Sequence, residues 1–329
     1  YGDHRDLHLS LRRQRQMCIR DRYMILMKRE ELLEATRQLL LKAGFYCSQI
    51  CKIRPSSFDF IARRDNLLLI VKVLNNIDAI SEDVAEELIW VARFLEGVPV
   101  VVGRRTCSSY LEDDVVYFRY GVPIITYATL ENYLQGILPF ICAAPGGFYV
   151  NIDGEKLRKI RMEKGISVGH LARIAGVSRR TIRLYESGER ASIDVAERIA
   201  DFIGEEFIKP VNLWEEIWKE EIEIRREIEN EMLKLLERMG VFIFPTHRSP
   251  FRAVSQILDE KVLVGIKERR IVEKARIISN LARVAEKESV IFMDYCRKKN
   301  IEGVPVIAKE ELKSMREAEE IIELIEERK

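Results

Sequence analysis

Ile166-Ser-Val-Gly-His-Leu-Ala-Arg-Ile-Ala-Gly-Val-Ser-Arg-Arg-Thr-Ile-Arg-Leu-Tyr-Glu-Ser-Gly-Glu-Arg190 holds the pattern of two short helices and the turn between them. Ser167 is an N-cap residue, whose hydroxyl can accept an orphan backbone N–H of the first turn. Leu171, Ala172 and Ala175 form an apolar stripe at helical spacing. Gly176 stands where a sharp turn calls for positive φ. Val177 is expected as a buried anchor and Ser178 as the cap of the next helix. That helix turns Ile182 and Tyr185 inward and stops at Ser187-Gly188. Two short capped helices around a glycine turn make a helix-turn-helix unit.

The outer face of the second helix carries Arg179, Arg180, Thr181 and Arg183 in its first turns. A helix so placed offers its N-terminal residues to base edges and phosphates in the major groove. The planar guanidinium bonds two acceptors on guanine at once and also pairs with phosphate. The helix N-terminus adds backbone donors for a phosphate. Ser167, Ser178 and Arg190 complete the expected DNA-contacting set. Residues 154–204 resemble the Cro/repressor-type DNA-binding domain of the XRE family, with its lambda-repressor-like helical fold. The matching elements are Leu157-Arg158-Lys159-Ile160-Arg161, Leu171-Ala172, Ala175-Gly176-Val177-Ser178, Thr181-Ile182 and Tyr185-Glu186-Ser187-Gly188. The rival reading is a basic, solvated helix on another all-α domain. Cap, turn, core and arginine positions agree with one another, and that agreement favours the motif. His170 is expected to face outward rather than to act as a ligand or catalyst.

Composition limits what else the chain does. Its 329 residues suffice for two or three domains, and 47% hydrophobic content permits sizeable cores. There are 54 Lys and Arg against 53 Asp and Glu, so any basic surface is local. No apolar run reaches the ~18 residues of a membrane span. Six cysteines, at 18, 47, 51, 107, 142 and 296, are scattered. Cys47 and Cys51 lack a second pair or a nearby His, so free thiols in a reducing cytosol are expected, with no metal and no cofactor. A cytoplasmic location follows from the same features.

Residues 28–136 carry an α/β pattern. A helix is expected over Glu30–Ala43. Strands are expected over Phe45–Ile53, Ser57–Arg63 and Leu67–Val73, then a helix over Glu82–Leu95, then strands at Val98–Val102 and Gly121–Ile125. This order resembles the restriction-endonuclease-like fold of archaeal Holliday-junction resolvases and RecB-type nucleases. Active members of that family place an Asp on the second core strand, and an acid, any residue and Lys on the third. The resemblance puts Asp59 and Lys72 at two of these positions, while Ile70 replaces the second acid. One carboxylate holds a hard divalent cation poorly. Catalytic residues are therefore expected to be absent, with Asp59 and Lys72 as vestiges and no enzyme activity.

After Gly240 the chain repeats itself. Val262–Lys267 echoes Leu67–Lys72, Ala282-Arg283 echoes Ala92-Arg93, and Gly303–Ile307 echoes Gly121–Ile125. In this alignment Gly265 takes the place of the acid and Val254 lies near the Asp position. The expected fold class is multidomain α/β plus all-α: two restriction-endonuclease-like domains flanking one helical DNA-binding domain. The expected boundaries are a non-native or disordered leader at 1–23, a first α/β domain at 24–142 and a linker at 143–150. The helix-turn-helix domain follows at 151–206, capped by Asp153 and Ser192. A linker helix at 207–225, a second α/β domain at 226–312 and a charged helix at 313–329 complete the chain. The leader is similar to translated sequencing-adapter fragments, which puts the native start at Met24 or Met27; a basic arm is the alternative.

The layout resembles archaeal helix-turn-helix regulators of the XRE type. It implies a sequence-specific transcriptional regulator with double-stranded DNA as partner and no membrane. A metal-dependent nuclease guided by the motif is the alternative. A homodimer is expected, through the flanking domains and the Trp214/Trp218 helix, since one motif reads only a few base pairs. Pairing of the two repeated domains within one chain is the competing outcome. The flanking domains are also candidates to take an effector of unspecified chemistry.

Overall fold

The run Leu67–Val71 is apolar on both faces, as in a strand covered on both sides. It lies in strand β3 of a computed structural model that describes residues 28–52, 56–204, 206–213, 227–267 and 270–329. The expected leader, with Met24 and Met27, falls outside the described residues, as do Trp214 and Trp218. Helix α1 (Arg29–Lys42) leads into β1 (Tyr46–Cys47), β2 (Phe60–Arg64) and β3 (Leu67–Asn76). Helix α2 (Glu82–Phe94), β4 (Val98–Arg105), β5 (Val115–Arg119), β6 (Val122–Ile125) and helix α3 (Tyr127–Leu134) follow. β1 is shorter than expected. Ser48 N–H bonds Ile61 O and Cys51 N–H bonds Asp59 O, so three residues advance against two and the ladder breaks.

Residues 143–150 are not a linker. They belong to a hairpin of β7 (Ile141–Ala144) and β8 (Gly147–Ile152). Pro145-Gly146 is the turn between the strands, so the linker-like composition was a turn signal. Helices α4 (Gly154–Glu163), α5 (Val168–Ala175), α6 (Arg179–Glu186) and α7 (Ile193–Ile203) form the helical part, with the two-residue strands β9 (Ala191–Ser192) and β10 (Ile208–Lys209) both paired to β8.

The C-terminal part holds helix α8 (Glu231–Arg238), β11 (Phe242–Pro245), β12 (Ala253–Ile257) and β13 (Glu260–Ile266). Helix α9 (Ile271–Ala285), β14 (Glu288–Met293), β15 (Asn300–Ile301), β16 (Val304–Ala308), α10 (Lys309–Ser314) and α11 (Glu319–Glu327) complete it. Met232, Leu236, Val264, Val290, Phe292, Ile307, Ile321 and Ile325 share its core. Each such side chain contributes about 1.5–3 kcal/mol by leaving water. Ile321 and Ile325 tie the charged tail helix into this core, so it is not a free appendage.

The strand order β1-β2-β3-β4-β6-β5 recurs as β11-β12-β13-β14-β16-β15. Backbone detail repeats with it. Asp65 and Leu258 have left-handed φ at equivalent hairpin turns, and the pairs Tyr120-Gly121 and Glu302-Gly303 do so before β6 and β16. The hairpin registers correct the sequence alignment by two residues. Phe60 faces Val71 as Ala253 faces Val264, and Arg64 faces Leu67 as Ile257 faces Glu260. Arg252 therefore stands in the place of Asp59, Leu263 in that of Ile70, and Gly265 in that of Lys72. A two-residue slip preserves which face a side chain occupies, so apolar patterning alone could not detect it.

Contacts divide the chain into two interleaved units. One gathers Glu34–Val73, Ile80–Val100 and Glu220–Lys329; the other comprises the remaining stretches, with the helix-turn-helix among them. Within the first unit, segments of both repeats pack together. Trp90 stacks on Phe244 with ring centroids 5.0 Å apart, and Phe58 meets Phe251 at 6.2 Å. Arg63 donates to Ala285 O at 3.0 Å and pairs with Glu286 at 2.6 Å. Apolar side chains of both repeats are thus used inside the chain.

Candidate nucleic-acid interface

Ser167 caps α5, its Oγ accepting from His170 N–H at 3.1 Å. Ser178 caps α6, accepting from Thr181 N–H at 3.0 Å, and its hydroxyl lies 2.8 Å from that of Thr181. Gly176 ends α5 at φ 68°, ψ 32°, a conformation glycine adopts without a Cβ penalty. Leu171, Ala172, Ala175, Ile182 and Tyr185 are buried, as the spacing implies. Val177 is only half-buried, because it follows the turn rather than facing the helix core.

The face opposite this core carries the cations. Arg179, Arg180, Arg183 and Arg190 are exposed, and Thr181 is half-exposed. Arg179 folds over Gly169, where an added Cβ would come within 3.0 Å of its Nε. Glycine there leaves room for the guanidinium against α5. His170 is exposed, beside Phe202. The motif is braced from behind. Arg161 on α4 bonds both carboxylate oxygens of Glu186 at the end of α6, at 2.5 and 3.3 Å, and donates to Ile166 O at 3.0 Å. Arg198 closes the C-terminus of α5 by donating to Ala175 O at 2.9 Å. An added Cβ at Gly154 would sit 2.4 Å from Glu186 O, so α4 starts close against the end of α6 only because that residue is glycine. Asp153 caps α4 through Lys156 N–H as expected, but Ser192 precedes α7 without a side-chain cap bond.

The other unit contains the residues that resemble a nuclease site. Asp59 is fully buried just before β2; its Oδ2 accepts from Val73 N–H at 2.8 Å. Lys72 is buried and donates to Ser56 O at 2.8 Å. Ile70, where the second acid belongs, is fully buried among apolar neighbours. Among the described residues no group of three His, Cys, Asp or Glu is placed to hold a metal ion. The donor set present does not fit the divalent cation such a core implies, because hard cations need several oxygen ligands.

Glu87 on α2 was not singled out from sequence. It is 1% exposed, and its carboxylate accepts from His247 N–H at 2.9 Å, Arg248 N–H at 3.0 Å and the Ser249 hydroxyl at 2.8 Å. Ser57 N–H donates to Arg248 O at 2.6 Å nearby. A signal existed: Glu87 sits on the stripe Val84, Leu88, Val91, where an acid is out of place unless something receives it.

Against known proteins, the chain is 37% identical to a "Putative HTH-type transcriptional regulatory protein" of Archaeoglobus fulgidus, over 90% of this chain and 97% of that one. Proteins of the same description in Methanosarcina barkeri and Methanocella arvoryzae are 37% and 38% identical, covering 92% and 91% of this chain and 98% and 96% of theirs. The chain belongs to this family of archaeal HTH-type regulatory proteins. A helix-turn-helix family model matches residues 157–208, and a PD-(D/E)XK superfamily domain model matches 29–139. The two matches cover the α4–α7 motif and the first α/β repeat of this HTH-type protein. No solved structure matches the chain. No helix among the described residues is long and apolar enough to cross a membrane.

Proposed function

We propose that this protein is a sequence-specific transcriptional regulator that binds duplex DNA through α5 and α6, in the manner of the XRE, Cro/repressor-type motif. The observation that carries the reading is α6 itself. Its inner residues Ile182 and Tyr185 are buried while Arg179, Arg180 and Arg183 stand exposed in its first turns. Ser167 and Ser178 fix the two helix starts where phosphates approach. Arg190 lies beyond α6 as a backbone contact. Support also comes from the printed description of the relatives and from the helix-turn-helix match. The protein works with the chromosome in the cytoplasm.

The two α/β repeats are restriction-endonuclease-like domains that have lost catalysis. The repeated strand order supports the kinship; Ile70, Leu263 and Arg252 at the acidic positions support the loss. A metal-dependent nuclease is the second reading, favoured by the PD-(D/E)XK match and by the retained Asp59 and Lys72. The protein with magnesium or manganese should leave duplex, branched and single-stranded DNA intact. Cleavage that disappears in Asp59→Ala would establish the nuclease instead. Two chains act together on DNA, because a single motif reads few base pairs. Light scattering at micromolar protein, with and without operator-length DNA, tests this; one chain per DNA in the complex contradicts it.

Binding itself is tested by fluorescence anisotropy on duplex DNA at fixed salt. Arg179→Ala with Arg180→Ala should weaken binding at least tenfold, a base-reading arginine being worth about 1–3 kcal/mol. Unchanged affinity contradicts the assignment of α6.

A further inference from the structure

In the second repeat the ends of three adjacent strands meet at one edge of the sheet. Arg252 immediately precedes β12, its N–H bonded to Val264 O at 2.7 Å. Lys267 follows β13, its N–H bonded to Phe292 O at 3.0 Å. Tyr295 follows β14 by two residues. Neighbouring strands lie about 4.8 Å apart, so these residues line up within roughly 10 Å of sheet edge. Arg297 and Lys298 continue the exposed segment from Tyr295.

This edge is cationic. Tyr295 is 67% exposed, and its hydroxyl accepts from Arg297 Nε at 3.2 Å. Lys267, Arg297 and Lys298 are all exposed, and none has a carboxylate within salt-bridge distance among the described residues. Lys274 on α9 adds a further charge. Burial pushes its ammonium below the usual lysine range, and the guanidinium of Arg252 pushes it the same way. The neighbouring acids are otherwise engaged: Glu231 pairs with Lys309 at 3.0 Å, and Asp294 also faces Lys309. A polyanion that meets the exposed Lys267, Arg297 and Lys298 beside the Tyr295 ring releases counterions as it binds.

We propose that this edge of the second repeat is a further, sequence-independent DNA-contact surface. In it Lys267, Arg297 and Lys298 receive backbone phosphates and Tyr295 packs against the sugar-phosphate chain. The proposal rests on the reading that DNA is the protein's partner, and it concerns a part of the chain that neither family match covers.

The test compares full-length parent, Lys267→Gln/Arg297→Gln/Lys298→Gln, and Arg179→Ala/Arg180→Ala on a random-sequence duplex across a salt series. All three exchanged side chains of the first variant are exposed, so the fold should tolerate them. The charge-conserving Lys267→Arg/Arg297→Lys/Lys298→Arg controls for any structural effect. Each lost phosphate contact should reduce the slope of log affinity on log salt by about 0.9, so the glutamine variant should be shallower by up to about 3. It should bind every sequence about tenfold or more weakly at moderate salt, while the charge-conserving variant binds as the parent does. Parent-like slope and affinity in the glutamine variant overturn the proposal. So does complete loss of random-duplex binding in the α6 variant alone. Weakening by the glutamine variant supports this surface whether or not the α6 variant binds random duplex as the parent does; the motif reading fails separately, if the α6 variant keeps the parent's preference for specific over random sequence.

Discussion

Glu87→Gln isolates the carboxylate that ties the two repeats together. The native side chain accepts two backbone N–H groups and one hydroxyl from His247, Arg248 and Ser249, and is almost fully buried. Hydrogen bonds to a charged group contribute about 1.5–3 kcal/mol each. Glutamine keeps one acceptor oxygen and turns an NH2 group toward donors. Losing two of the three bonds at the lower figure costs about 3 kcal/mol. Because about 1.4 kcal/mol is tenfold in an equilibrium constant, local opening of the 246–249 segment should become about 100-fold more frequent. Native-state hydrogen exchange reads this directly. The amide protons of His247, Arg248 and Ser57, all bonded in this junction, should lose protection by about that factor, while Val264 and Val290 in the strand core keep theirs. Protection at the three junction amides within threefold of the parent would show that Glu87 does not hold the repeats together.

Gly176→Ala forces an L side chain into φ 68° and should destabilise the helical part by about 1 kcal/mol, read as a lower thermal midpoint. Arg161→Ala leaves Glu186 half-buried without its fork partner and should cost about 2 kcal/mol, with DNA affinity falling in step because α6 loses its brace. Glu311 is held below the usual glutamate range, first by the Arg328 guanidinium and then by the Ala308 N–H. A depressed folded pKa means this stabilisation is fully present above the ordinary glutamate value and is lost as pH falls through the lower, folded one. Acid unfolding followed by circular dichroism should therefore show a component that vanishes in Glu311→Gln; an unchanged profile contradicts it.

The helix-turn-helix was legible because its signals are local. Ser167, Ser178 and Gly176 are fixed by caps and a turn within a few residues of themselves, and Leu171, Ile182 and Tyr185 by helical period. The repeat was legible for a similar reason, since Gly121-Val122-Pro123 and Gly303-Val304-Pro305 carry the same turn and strand start. Register was not legible. Leu67–Val71 and Val262–Ile266 carry no polar side chain, and a two-residue shift leaves each residue on the same face. Only the hairpin turns at Asp65 and Leu258 fix the alignment that places Arg252 opposite the role of Asp59. The hairpin at Pro145-Gly146 was not legible either, because a turn and a linker share composition and differ in what flanks them. Glu87 was missed because its partners, His247 to Ser249, lie far along the chain, and no local pattern names them.

Genome-wide binding-site sequencing with the parent and with Arg179→Ala/Arg180→Ala addresses the central claim most directly. The parent should enrich a recurrent short motif at discrete genomic positions, and the double variant should lose that motif while keeping diffuse, sequence-independent binding. Enrichment without any shared motif, or an identical motif in the double variant, would contradict recognition of specific DNA by α6.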